Sequence, residues 1–225
     1  MAETKILLLR LEGVLQSWGR EAYWNDRGTD LMPRKAAVIG MIGSAMGLSR
    51  GDSRLRDLSS GLTMGIRVDA HGVRLTDFQT VTGHPLMTAE GKRRTSDTFI
   101  SRREYLQDAS FLVALSGNAD ALAQIAEALE DPVWPVYLGR RCCVPTRPVF
   151  ETLTDEYADV YSALAEYDLP ETATRLTIEV EGPEPQSGMI SLRRDDVSGE
   201  WPGRSYGQRR VWRGNLERER VPDEN

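Results

Sequence analysis

KILLLRL, residues 5–11, is an apolar run held between charged residues, and it reads as a buried strand. The chain leaves it through GVLQSWG, Gly13–Gly19, a stretch expected to be a loop. Pro33 is suited to start a helix, because its missing N–H is no loss in the first turn, and that helix is expected to run to about Leu48. Gly40, Gly43 and Gly47 lower its propensity and fit a helix packed closely on a sheet. A short helix follows from Asp52, as N-cap, to Ser59. LTMGIRV (62–68) and VRLTDFQTV (73–81) read as a hairpin around DAHG. Residues 83–101 are polar and read as an exposed excursion, and Ser110–Leu115 as a strand. Ala119–Leu129 is the clearest helix: Leu122, Ile125, Ala126 and Leu129 share one face, and Asn118 is a good N-cap. Strands are expected at Arg175–Val180 and Gly188–Arg193, with a charged, frayed tail from Glu217.

Strand, helix, two strands, helix, strand is the order of a βαββαβ unit. The expectation is an α+β chain: a ferredoxin-like domain over residues 1–150, then an acidic segment and a smaller β-rich region over 151–225. RNA-recognition modules share that topology, but no stretch carries their aromatic signature on a central strand. The fold by itself therefore assigns no function.

The chain has 225 residues and a formal charge of −6, unevenly distributed. Glu151–Glu184 holds ten carboxylates and one base, Arg175. Of the 28 basic residues, only Lys5, Lys35 and Lys92 are lysines. Arginine offers a planar fork that grips phosphate in a bidentate way and stacks on bases. No stretch has the pattern of a signal peptide, and the longest apolar segment, Ala36–Leu48, is too short to span a bilayer. A cytoplasmic protein without membrane contact is expected. Cys142 and Cys143 are adjacent and the only cysteines, so neither a disulfide framework nor a zinc pair is indicated, and no metal or cofactor is expected.

Catalytic patterns are sparse. His84 lies in TGHPL beside the basic excursion, a place where a nuclease histidine would be useful. Asp195 and Asp196 lack a spaced third carboxylate for a two-metal site. The basic clusters are more telling. GKRRTS (91–96) brings Lys92, Arg93 and Arg94; SRREY (101–105) brings Arg102, Arg103 and Tyr105; LGRRCC brings Gly139, Arg140 and Arg141. RSYGQRRVWR (204–213) interleaves Arg204, Arg209, Arg210 and Arg213 with Tyr206 and Trp212. Cations that track a backbone, with rings that stack on bases, suit single-stranded nucleic acid.

Five stretches carry a resemblance to the CasD family, the Cascade subunit that caps the 5′ end of CRISPR RNA in type I-E systems. They are LRLEGVLQSWG (9–19), PRKAAVIGMIGSAMGL (33–48), RREYLQDASFLVAL (102–115), PVYLGRRCCVPTRPVF (135–150) and RSYGQRRVW (204–212). They occur in the family's order. The resemblance implies a ferredoxin-like body with a thumb-like excursion at about 81–103. It also implies binding of the crRNA 5′ handle without a fixed catalytic role. The implied partners are crRNA, the backbone and large subunits of Cascade and, through the complex, target DNA. Some relatives process precursor RNA themselves, which leaves a metal-independent endoribonuclease using His84 or Tyr105 as the alternative.

On this reading Gly139 lets backbone N–H groups approach a phosphate. Arg140 and Arg141 neutralise it, undisturbed by acid, since no carboxylate lies between Pro132 and Phe150. Gln16, Ser17 and Trp18 occupy the loop after the first strand. Trp18 either stacks on a splayed base or packs in the core. Arg34 and Lys35 open a helix whose free N–H groups favour an anion. The acidic segment faces partners or solvent.

Overall fold

A computed structural model describes residues 5–19, 25–88, 90–96, 98–170, 175–182, 188–197 and 206–217. Nine strands join in one sheet: β1 (Ile6–Gln16), β2 (Asp26–Arg27), β3 (Thr63–Ala70), β4 (Val73–Thr82), β5 (Thr98–Ser116), β6 (Phe150–Thr154), β7 (Arg175–Glu181), β8 (Met189–Val197) and β9 (Tyr206–Glu217). The helices are α1 (Lys35–Ala45), α2 (Ser53–Gly61), α3 (Ala119–Glu130) and α4 (Val160–Glu166). The strand order is β6-β1-β5-β3-β7-β9-β8, antiparallel throughout except where β2 joins β5.

KILLLRL is buried on both faces of this sheet. Leu7, Leu9 and Leu11 face a core shared with α1 and α3, while Ile6 and Leu8 face a second core under α4. Adjacent residues of a strand point to opposite faces, so an unbroken apolar run is what two covered faces require. β5 repeats the division, with Phe111, Val113 and Leu115 on one side and Leu112 and Ala114 on the other.

Two expectations need correction here. First, β1 does not stop at Leu11 but runs to Gln16, so Gln16 is a strand residue and not a loop residue. Second, β3 and β4 do not form a hairpin. Both lie along the same side of β5, β3 against Phe111–Ser116 and β4 against Thr98–Gln107. DAHG is a joint between two collinear strands. Gly72 sits there at φ 66°, and a Cβ would press on the Gln107 carbonyl and on Ala109. The excursion expected at 81–103 is thus the outer part of a longer β4–β5 ribbon. Its tip is closed by Thr88 N–H to Lys92 O at 2.7 Å and Arg94 N–H to Leu86 O at 2.8 Å. Val73, Phe78, Val81 and Met87 stay exposed along it, while Ser101 and Tyr105 at its base are buried.

The acidic segment is also not simply outward. Arg67 on β3 is fully buried, and its guanidinium meets Asp69 (2.5 Å), the carbonyls of Leu164 (2.7 Å) and Tyr167 (2.6 Å), and that of Asp168 (2.9 Å). It thereby ties down the C-terminal end of α4, where unpaired carbonyls favour a cation. Arg10 binds the other oxygen of Asp69 and reaches the Asp168 carboxylate at 2.7 Å. On the far side Glu179, 2 % exposed, receives Arg193 at 2.9 Å and Arg213 at 2.7 Å. Carboxylates of the acidic segment therefore hold it to the sheet.

Asp69 bridges two buried guanidinium groups, so its loss leaves both short of a counter-charge. Asp69→Ala should lower the unfolding free energy by about 3–5 kcal/mol, as expected for breaking a buried pair from one side. Asp69→Asn should lose less. Denaturant unfolding checks this, and a loss below about 1 kcal/mol for the alanine variant would contradict it.

Candidate nucleic-acid interface

The loop from α3 to β6 carries the two adjacent arginines. Leu138 and Cys143, both fully buried, anchor it, and each bonds the other's side of a turn: Leu138 N–H to Cys143 O and Cys143 N–H to Arg140 O, both 2.8 Å. Burial pushes the Cys143 thiol up to about 12, so it is an inert anchor. Ser17 N–H donates to Leu138 O at 3.0 Å, which seats the turn against the end of β1. Gly139 has φ +99°, and a Cβ there would overlap the Ser17 carbonyl. The glycine is required by its own protein neighbour, whatever else approaches it.

The two arginines have different surroundings. Arg140 donates to the backbone carbonyls of Glu104 and Arg27, each at 2.8 Å, and lies 4.6 Å from the centre of the Tyr105 ring. It clamps the loop to the base of the ribbon. Tyr105 is 4 % exposed, its hydroxyl is 3.6 Å from Cys142 Sγ, and burial together with that contact raises its pKa. Arg141 is exposed and takes no part in this clamp.

Beside this turn, which forms a ridge at Gly139–Arg141, lies a cleft of about 540 Å³ lined by Ser17, Arg27, Arg34, Gly139, Arg140 and Tyr206, among others. It unites residues from four of the stretches singled out in the sequence. Several expected contacts are nevertheless internal. Trp18 is 1 % exposed, packed edge-on against Phe111 and hydrogen-bonded to Gln16 at 3.1 Å, so it offers no ring to a base. Gln16 is fully buried and donates to the Ala109 carbonyl at 2.6 Å. Lys35 is 1 % exposed, and its ammonium sits 2.9 Å from Glu181. The start of α1 already has its anion, because Lys35 N–H donates to Asp195 at 3.1 Å.

Asp195 is held in turn by Arg209 through bonds of 2.7 and 3.0 Å. Burial pushes its carboxyl up, and Arg209 outweighs that, holding it below the usual carboxylate value. Arg209 is thus a buried partner of this carboxylate, whereas Arg210, its neighbour on β9, faces outward. Arg34 pairs with Asp30 and keeps part of its surface at the cleft. Arg204 lies outside the described residues.

The ribbon residues form a separate group. Lys92, Arg93 and Arg94 are exposed at the tip, with Arg94 stacked 4.4 Å over Phe99. Arg102 stacks over Phe78 at 5.6 Å and sits 3.6 Å from Asp26, while Arg103 is half-buried. Ribbon and ridge meet at Glu104, whose carbonyl accepts from Arg140. His84 lies two residues beyond the Thr82–Thr98 pair at the tip. Tyr105 is seven residues along β5 from Thr98, roughly 23 Å at the usual rise of a strand. The two do not converge. Among the described residues no group of three or more His, Cys, Asp or Glu is placed to hold a metal ion. No described helix is long and apolar enough to cross a membrane.

Arg27, Glu104 and Tyr206 are not marked as a group by the sequence. Arg27 and Glu104 act through backbone carbonyls, which leave no residue-type signal.

Comparison with known proteins agrees along most of the chain. The family described as CRISPR-associated protein (Cas_Cas5) matches residues 6–212. The CRISPR system Cascade subunit CasD of Escherichia coli (strain K12) is 33 % identical over 176 residues, covering 72 % of this chain and 76 % of its own. A chain from a solved CRISPR RNA-guided surveillance complex superposes with a TM-score of 0.74 at 32 % identity, covering 94 % of this chain and 90 % of the other. A crystal structure of a Cas protein gives 0.70 at 31 % identity, with 96 % and 97 % covered.

Gly139→Ala would force both a strained φ and a clash with Ser17. A loss of about 2–3 kcal/mol in stability is expected from the overlap and strain together. Thermal unfolding measures it, and a melting temperature within a degree or so of the parent would contradict the close approach.

Proposed function

The chain belongs to the CRISPR-associated protein (Cas_Cas5) family, and from that premise we propose that it is an RNA-binding subunit of a type I-E CRISPR surveillance complex. It caps the 5′ handle of crRNA and so supports antiviral targeting of DNA. The observation that carries this reading is the ridge at Gly139–Arg141. It is a rigid turn on an acid-free stretch, with Arg140 committed to holding it at a cleft that Arg27 and Arg34 also line, and with the next arginine, Arg141, exposed. Fixed cations on a preorganised backbone suit a phosphate chain of defined shape, while guide–target pairing reads sequence. Its partners are the crRNA handle and the backbone and large subunits of Cascade, in the cytoplasm.

The order β6-β1-β5-β3, with α1 and α3 in the connections, corresponds to the 4-1-3-2 order of a ferredoxin-like sheet, and supports reading residues 1–150 plus β6 as that domain. Beyond it, β7, β9 and β8 extend the β3 edge. The β4–β5 ribbon is the thumb, suited to lie along the guide. We read the subunit as binding and not cleaving. Tyr105 is buried beneath Arg140 with a raised pKa, and His84 sits at the far end of the ribbon, so neither is placed to assist the other at one phosphate.

The two adjacent arginines separate cleanly by measurement. Arg141→Ala should leave the melting temperature unchanged and reduce the slope of log affinity for handle RNA against log salt by about 0.7. Arg140→Ala should lower stability, since two carbonyl bonds and a ring contact are lost. Equal salt slopes for the parent and Arg141→Ala would count against the proposed contact.

A further inference from the structure

On the other side of the Gly139 ridge lies a second cleft, of about 870 Å³. Gly139 and Ala37 line both clefts, so the two adjoin. The floor of the second is the face of α1 carrying Ala37, Gly40 and Ser44, and a Cβ added at Gly40 would meet nothing within 4 Å. Its walls include Trp134, Tyr137 and Arg141, and none of its lining residues is a carboxylate. In a chain of net charge −6 that absence is a selective feature.

Trp134 is 44 % exposed despite its size, on a loop held in place by Val133 N–H to Ala45 O at 2.9 Å. A solvent-facing indole that lines the same cleft as a guanidinium, with open space at Gly40 of α1, is suited to a flat, anionic ligand. A nucleobase with its phosphate has that chemistry. An acidic peptide would use the arginine but not the exposed face of the indole.

We propose that this cleft is a stacking pocket for one nucleotide of single-stranded RNA, with the base against Trp134 and its phosphate at Arg141. The inference rests on the RNA-binding reading above and extends it: the strand crosses the Gly139 ridge from one cleft into the other. Arg140 fixes the ridge from beneath, and Arg141 meets the backbone on top. Because every base has a stacking face, the pocket tolerates all four bases and selects for an unpaired nucleotide.

The test uses the purified full chain and a short fluorescently labelled handle RNA, intact and with single abasic positions. Trp134→Ala should weaken binding of intact RNA roughly ten-fold, and Trp134→Phe should retain most of the affinity. One abasic position should weaken binding to the parent and have no added effect on Trp134→Ala. The exposure of Trp134 makes loss of folding unexpected, and the melting temperature verifies that. If the parent binds RNA with a steep salt dependence and Trp134→Ala binds equally well, the pocket is overturned while the handle reading stands. The pocket is equally overturned if the variant instead loses a protein subunit from the assembled complex at unchanged RNA affinity. If the parent itself binds no RNA, both fail.

Discussion

β5 is the constraint on which the rest of the molecule depends. It runs for 19 residues, with Asp108 at φ 55° between its two halves, and those halves do different work. Phe111–Ser116 is a central strand with neighbours on both sides and apolar residues on both faces, while Thr98–Gln107 projects as one arm of the ribbon. A strand of this length transmits the rigidity of the core outward. The carbonyl of Glu104, at the transition, receives Arg140 and is 3.4 Å from the Ser17 hydroxyl. The ridge is therefore built on the spine of the sheet and not on a free loop, and the cations around it are held at fixed spacing before any ligand arrives.

Charge in this chain is divided between two tasks. Arg10, Arg67, Arg209 and Lys35 are almost fully buried and paired with Asp69, Asp168, Asp195 and Glu181. Buried pairs of this kind add little net stability over apolar residues of the same size, yet breaking one from a single side is expensive. They fix the placement of α4 and of the β8–β9 hairpin against the sheet. Arg93, Arg141 and Arg210 remain at the surface. The four buried cations and their four carboxylates cancel inside the fold and leave the net charge of −6 unchanged, so what favours a polyanion at the ridge is local: no carboxylate lies between Pro132 and Phe150.

The sequence is readable where a residue's neighbours are local or apolar. The continuous run KILLLRL and the four-residue stripe of α3 identify core elements because burial alone determines them. The N-caps at Asp52 and Asn118 are legible for the same local reason, each accepting from an amide within three residues. Of the ribbon, the β4 arm is legible as a strand from VRLTDFQTV, whereas the arm Thr98–Gln107 is not, because its charged residues interrupt any apolar alternation. Nor are the buried ions: Arg10 finds Asp69 and Asp168 at separations of 59 and 158 positions, which no local pattern announces. Lys35 and Arg209 therefore read as surface cations in the sequence, and the sequence does not decide between core and surface for Trp18. The lack of acid locates the Gly139 ridge. The division of labour between Arg140 and Arg141 depends instead on distant backbone carbonyls, at Glu104 and Arg27, which no residue pattern reveals.

Amide hydrogen exchange of the full chain, with and without handle RNA, tests the central claim most directly. Exchange should slow on RNA binding at Tyr137–Cys142 and at Arg27 and Gly28. Phe111–Leu115 of β5, already protected by pairing on both sides, should be unchanged. Slowing confined to the exposed β8 edge, with Tyr137–Cys142 unaffected, would contradict the placement of RNA on the ridge.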